Sequence, residues 1–96
     1  MSALLIVDTK IHDVEAYEVY KAQVRPLVEQ MGGTYRARGD RMEVLEDDLW
    51  SPTRIVVIEF PTVEAATGFV NSEAYAPIKA LRHANADTTA IVVEIN

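Results

Sequence analysis

Two stretches of the chain are apolar on nearly consecutive positions, Ala3–Thr9 (ALLIVDT) and Arg54–Phe60 (RIVVIEF). Short β-branched runs that do not alternate with polar residues form strands covered on both faces, so both are predicted to be central in a sheet. Thr88–Ile95 (TTAIVVEI) reads as the last strand. Between the first two runs the period changes. Tyr17, Tyr20, Val24, Leu27, Val28 and Met31 recur at three- and four-residue spacing, while Glu15, Glu18, Lys21, Gln23 and Glu29 fill the opposite face. The spacing predicts an amphipathic helix over about residues 13 to 31, capped by Asp13 and ended by Gly32-Gly33. Pro26 cannot donate to the carbonyl of Ala22, which predicts a kink or a restart there.

Thr34–Arg38 alternates as a strand, Gly39-Asp40-Arg41 is turn-like, and Met42–Glu46 resumes strand character. The simplest reading is one long strand bent or bulged at Gly39, with a separate short strand as the alternative. Asp47–Pro52 is a polar connection. After Pro61, Thr62 caps a short helix carrying Ala65, Ala66, Phe69 and Val70. A second helical segment begins at Asn71-Ser72 and carries Tyr75, Ile78 and Leu81, with Pro77 disturbing its first turn. The order βαββαβ is the split βαβ, or ferredoxin-like, plan. The fold class is therefore α+β, one domain over residues 1–96, with a four-stranded antiparallel sheet in the order 4-1-3-2.

Side-chain parity on those strands separates two faces. Leu5, Val7, Val56, Ile58, Phe60, Ile91, Val93 and Ile95 form an apolar face that the helices can cover. The other face holds Leu4, Ile6, Ile55, Val57 and Val92 with Asp8, Arg36, Arg38, Glu59 and Glu94, and is too apolar to remain in water. A second copy of the same sheet is the simplest cover, which makes the expected assembly a homodimer by sheet stacking. The alternative cover is the chain's own loop, with Leu49 and Trp50.

Composition narrows the function classes. The 96 residues are 49% apolar and 25% charged, with 4 Gly and 4 Pro, an ordinary globular composition. Nine Lys and Arg against 15 Asp and Glu give a formal charge of −6, which opposes nucleic acid and anionic membrane as partners. Absence of cysteine removes disulfides, thiolate catalysis, iron–sulfur clusters and thiolate zinc sites. With only two histidines, which leave little for an imidazole metal site, no metal and no cofactor is expected. Ala3–Val7 is too short for a signal or a spanning segment, so a cytoplasmic location is expected. No GxGxxG, P-loop, GxSxG or HExxH motif occurs.

Several blocks together resemble the uncharacterised family termed domain of unknown function 1330, within the dimeric α+β barrel superfamily. They are Val7-Asp8, Asp13–Ala16 leading into Tyr17 and Tyr20, Gly32-Gly33 with Tyr35 and Arg38-Gly39, Glu43–Glu46, Arg54–Pro61, Ser72, Tyr75 and Leu81-Arg82. Ile58-Glu59-Phe60-Pro61 and the double glycine are the most specific parts. Val14 and Asp47 stand where the family often has Pro and Gly, and both lie in turns. The resemblance implies a ferredoxin-like subunit whose sheet pairs with a second copy to form a barrel. It implies no particular activity, since relatives in the superfamily include cofactor-independent monooxygenases and haem-binding or haem-degrading proteins.

Two constellations carry candidate chemistry. On the mixed face Asp8, Glu59 and Glu94 fall on neighbouring strands beside Arg36 and Arg38. Glu59 is the candidate acid or base, Asp8 and Arg38 candidate ligand contacts, and the bland alternative is ion pairing, Arg38 with Glu59 and Asp8 with Arg54. Beneath the helices Tyr17, Tyr20, Tyr75 and Arg82 could line a cleft for a small, flat, apolar ligand with one polar group, where superfamily enzymes often hold their substrates, or could be plain core. Trp50 either clamps a ligand or seals the dimer edge, and Glu46-Asp47-Asp48 reads as a solvated turn. The expected function is small-molecule binding by a homodimer. The alternatives are a monooxygenase-like or isomerase-like enzyme acting on a small aromatic or carbonyl compound, and a structural dimer without ligand.

Overall fold

A computed structural model describes residues 1–39 and 41–96. The chain runs β1 (Ala3–Ile11), α1 (Val14–Gln30), β2 (Thr34–Arg38), β3 (Ile55–Phe60), α2 (Val63–Val70), α3 (Ala76–Asn85) and β4 (Ala86–Glu94). The four strands form one antiparallel sheet in the order β2-β3-β1-β4, with the two runs expected to be central at its centre. This is the ferredoxin-like α+β arrangement expected from the element order. Among the described residues no helix is long and apolar enough to cross a membrane.

Local chemistry explains the element ends. Asp13 accepts from the Ala16 amide at 3.1 Å and Thr62 from the Ala65 amide at 3.0 Å, so both helices start on the expected caps. Pro26 neither ends nor restarts α1, which runs unbroken to Gln30; the proline lies on its exposed side. Gly32, at φ +90°, turns the chain out of the helix. The second segment becomes regular only at Ala76, with Pro77 in its first turn where a missing N–H is harmless.

One strand expectation fails. β2 stops at Arg38, and Met42–Glu46 is exposed and irregular rather than a continuation of the strand. Gly39, at φ +74°, turns the chain away from the sheet. The turn expected at Gly39-Asp40-Arg41 includes Asp40, which lies outside the described residues.

The helices cover one face of the sheet. Leu5, Val7, Ile58 and Phe60 meet Tyr17, Tyr20, Val24, Val28, Ala66, Phe69 and Tyr75 in one buried cluster. Phe69 is the hub of its aromatic part, 5.5 Å from the Phe60 ring and 4.5 Å from the Tyr75 ring. Gly33 sits where α1 passes onto β2 against this cluster. A Cβ there would stand 2.7 Å from Val28 Cγ1, 2.9 Å from Phe60 Cζ and 3.0 Å from Ile58 Cγ2. Gly33→Ala is therefore expected to lose about 1–3 kcal/mol by overpacking, read as a lower urea midpoint at unchanged slope.

The parity assigned to β4 is also corrected. Leu5 is paired with Val92, Val7 with Ala90 and Thr9 with Thr88, so these β4 residues face the helices. Ile91 and Val93 face the other way, 45% and 46% exposed, and Glu94 pairs with Ala3 on the helix side rather than joining Asp8 and Glu59. The outer face thus contains Leu4, Ile6, Ile55, Val57, Ile91 and Val93. The loop reaches only the Asp8 end of this face, through Trp50, which is itself 51% exposed, and Leu49 is 92% exposed. Parity misleads here because the more apolar side of β4 points away from the helices.

Candidate functional site

The corrected β4 register has a consequence for the interior. Where the helix-facing side could have carried a larger Ile or Val opposite Val7 it carries Ala90, and this small residue leaves space under α1 and α3. A cavity of about 60 Å³ occupies that space. Its floor is sheet, with Leu5, Val7, Thr9, Val56, Ile58 and Ala90. Its roof is Tyr17, Tyr20 and Val24 of α1, with Phe69, Tyr75 and Arg82 beyond, and Tyr35 and Arg38 of β2 stand at one side.

Four of the residues singled out in the sequence, Tyr17, Tyr20, Tyr75 and Arg82, are brought together here. The Tyr20 and Tyr75 hydroxyls are 2.7 Å apart and buried. One donates to the other, so the pair keeps one phenolic proton free for a further acceptor. Arg82 is 6% exposed; its Nη2 lies 3.2 Å from His83 Nε2, while its Nε and the Thr9 hydroxyl are buried with no hydrogen-bond partner among the described residues. Burial pushes Tyr20 far above the ordinary phenol range, with the neighbouring Tyr75 adding to the shift and Arg82 partly opposing it. Tyr75 is also raised by burial, against the opposing effects of its bond to Tyr20 and of Arg82. Both phenols therefore stay protonated at neutral pH and act as donors.

This raises a stability expectation with a definite sign. The folded chain holds these protons more tightly than the unfolded chain, whose phenols ionise near pH ~10. Their contribution is complete below that pH and is lost as pH rises above it, because the unfolded state releases protons first. Urea midpoints are expected to fall progressively above about pH 10, and Tyr20→Phe should flatten that fall.

The mixed-face constellation does not assemble as expected. Glu59 lies opposite Leu4 and Asp8 opposite Ile55, four residues apart along the strands, on the order of 13 Å. Glu59 accepts from Arg36 Nε at 3.0 Å and not from Arg38. The reason is a bulge in β2: Tyr35 opposes Ile58 and Ala37 opposes Val57, so Arg36 is the extra residue and Arg38 is carried to the helix side. There its guanidinium stacks 4.6 Å from the Tyr35 ring centre, beside the cavity. Glu59, with its side chain 27% exposed and paired, is on the opposite side of the sheet from the cavity.

Asp8 is a structural clasp. Its Oδ1 accepts from the Thr53 and Arg54 amides at 2.9 and 3.0 Å, and its Oδ2 accepts from the Trp50 indole at 2.9 Å. The expected pairing with Arg54 is thus made through the Arg54 main chain; the guanidinium donates to the Arg38 carbonyl at 2.9 Å. Burial pushes the Asp8 carboxyl up, but the bonds from Arg54, Thr53, Trp50 and Thr9 outweigh it and hold the group below the usual carboxylate range. Trp50 thereby ties the loop to the outer face, away from the cavity. His12 is exposed and 3.1 Å from Asp87. Among the described residues no three His, Cys, Asp or Glu side chains gather as a metal-ligating cluster.

Sequence reasoning missed part of the cavity wall: Lys21, Arg25 and Arg54. A signal was present, because Tyr17, Lys21 and Arg25 form one row at four-residue spacing and hence one stripe of the helix.

A four-stranded antiparallel sheet with helices on one face and an aromatic cavity between them defines a ferredoxin-like α+β protein. The chain belongs to the family Domain of unknown function (DUF1330), whose model matches residues 2–96. None of the curated proteins matches the sequence. Among solved structures, a protein of unknown function from Rhodopseudomonas palustris is similar with a TM-score of 0.77 at 17% identity, covering 99% of this chain and 82% of that one. A dimeric ferredoxin-like protein of unknown function from Jannaschia sp. CCS1 gives 0.73 at 12% identity, covering 99% and 100%. SnoaB, a cofactor-independent oxygenase from Streptomyces nogalater, gives 0.71 at 8% identity, covering 99% and 93%. At these identities the likeness establishes the fold.

Proposed function

We propose that the protein is a cytoplasmic homodimer that binds a small molecule in the cavity between helices and sheet. The observation that carries the binding reading is that the cavity wall is built with polar groups left unsatisfied. Thr9 Oγ1 and Arg82 Nε are buried without partners among the described residues. Each costs on the order of 1–3 kcal/mol when left unpaired, a cost that a ligand accepting or donating there removes. A purely structural dimer has no need of such groups and gains by filling the space with larger side chains.

Binding is favoured over acid–base catalysis by the same lining. Among the described residues it contains no carboxylate and no histidine, and its buried phenols Tyr20 and Tyr75 are held protonated. Glu59, the candidate base in the sequence, is on the other face and already paired. Dimerisation is supported by the outer face, where six aliphatic side chains from three strands are contiguous, and by the dimeric state stated for the similar Jannaschia protein.

Amide chemical-shift mapping with single-ring compounds (phenol, benzyl alcohol, benzoate) tests the binding reading. Saturable shifts are expected at Tyr20, Val24, Tyr75 and Arg82. Shifts confined to the outer face, or none with any compound, would overturn it.

A further inference from the structure

The charges around the cavity are not distributed as in the rest of the chain. Lys21, Arg25, Arg38, Arg54 and Arg82 line it, five of the nine cations of a protein whose formal charge is −6, and among the described residues no Asp or Glu does. Four of these cations have some other engagement. Lys21 bonds Glu18 at 2.9 Å, Arg54 bonds the Arg38 carbonyl, Arg38 lies over the Tyr35 ring, and Arg25 is exposed to water. Arg82 differs from them. It is buried, and among the described residues no carboxylate lies within 4.0 Å of its guanidinium.

A buried cation without a counter-ion is among the costlier arrangements in a protein interior. Its contact with His83 leaves Nε free. The neighbouring Tyr20–Tyr75 pair has one proton to give and no acceptor beyond itself. Donors and positive charge thus converge on a space that holds no negative group from the described residues.

Building on the binding reading above, we infer that the ligand is a small organic anion: one planar ring bearing an acid group, with the acid group against Arg82 and the Tyr20–Tyr75 pair. The ring follows from the walls, where Tyr17, Phe69 and Val24 supply flat and aliphatic surface. The size is bounded by the volume: about 60 Å³ is less than half of a ~150 Å³ cavity that encloses benzene, so the acid group and one edge of the ring are enclosed and the rest of the ring lies in the mouth beside Tyr35 and Arg38. The cations at the mouth draw the anion in and give binding a salt dependence.

Calorimetric titration with three probes of one shape, benzoate, benzyl alcohol and benzylamine, separates the possibilities. Benzoate is expected to bind at least ~10-fold more tightly than benzyl alcohol, benzylammonium not measurably, and only the benzoate affinity should weaken as NaCl is raised. Arg82→Gln should bring benzoate to the affinity of the alcohol. Should that variant fail to fold, the double variant Arg25→Gln/Arg38→Gln, at the exposed mouth, is expected to reduce the salt dependence and weaken benzoate severalfold. Equal or tighter binding of benzyl alcohol, with shifts at the cavity residues, would overturn the anion inference and leave the small-molecule reading intact. Absence of binding by all three probes would overturn both.

Discussion

Ile6→Asp is expected to convert a dimer into a folded monomer. Ile6 is central on the outer face, paired with Val57 on one side and Ile91 on the other. In a stacked-sheet dimer each interface would contain the new carboxylate twice, once from each subunit. Desolvating a charge opposite aliphatic side chains costs several kcal/mol, and every ~1.4 kcal/mol is a factor of ten in the dissociation constant. A weakening of at least ~100-fold follows. In the isolated subunit the same side chain is solvated, so the helix-side core is untouched. Light scattering should give twice 10.7 kDa for the wild type at micromolar concentration and the single mass for the variant. A wild-type monomer, or a variant that stays dimeric, would remove the dimer from the account.

Phe69→Ala is expected to cost about 3–5 kcal/mol. The ring is 2% exposed, packs between Phe60 and Tyr75, and forms part of the cavity wall. Its loss removes buried apolar area and joins a new void to the existing one, so the surroundings cannot collapse to compensate. For a chain of this size, with total stability on the order of 5–15 kcal/mol, such a loss takes a large share of what holds the fold. Chemical denaturation should show a fall in the midpoint far exceeding that of Gly33→Ala. A change below about 1 kcal/mol would mean that the aromatic hub is not where the core's cohesion lies.

The order of elements was legible because each carries its own chemistry. Asp13 and Thr62 cap helices, Gly32-Gly33 closes α1, and the two unbroken aliphatic runs take the centre of the sheet. Tyr17, Tyr20, Tyr75 and Arg82 could be placed together by packing both helical segments on one face of the sheet. The faces were less legible, because parity over a strand reverses with one residue. The extra Arg36 in β2 moved Arg38 from Glu59 to the cavity. In β4 both sides are apolar, Val92 against Ile91 and Val93, and only the pairing with β1 shows which side meets the helices. The cationic lining was hidden for a related reason. Lys21 and Arg25 are polar residues at the margin of an amphipathic helix, and a hydrophobicity pattern assigns such positions to solvent although their apolar stems reach the interior.

The central claim, that the space beneath α1 and α3 is a ligand site, is tested most directly by crystals of the dimer soaked with single-ring fragments, benzoate among them. The expected result is density in the cavity with a polar atom within hydrogen-bond distance of the Tyr20 or Tyr75 hydroxyl or the Arg82 guanidinium. A cavity closed by side chains, with Arg82 Nε paired to a protein carboxylate and fragments only on the outer surface, would contradict it.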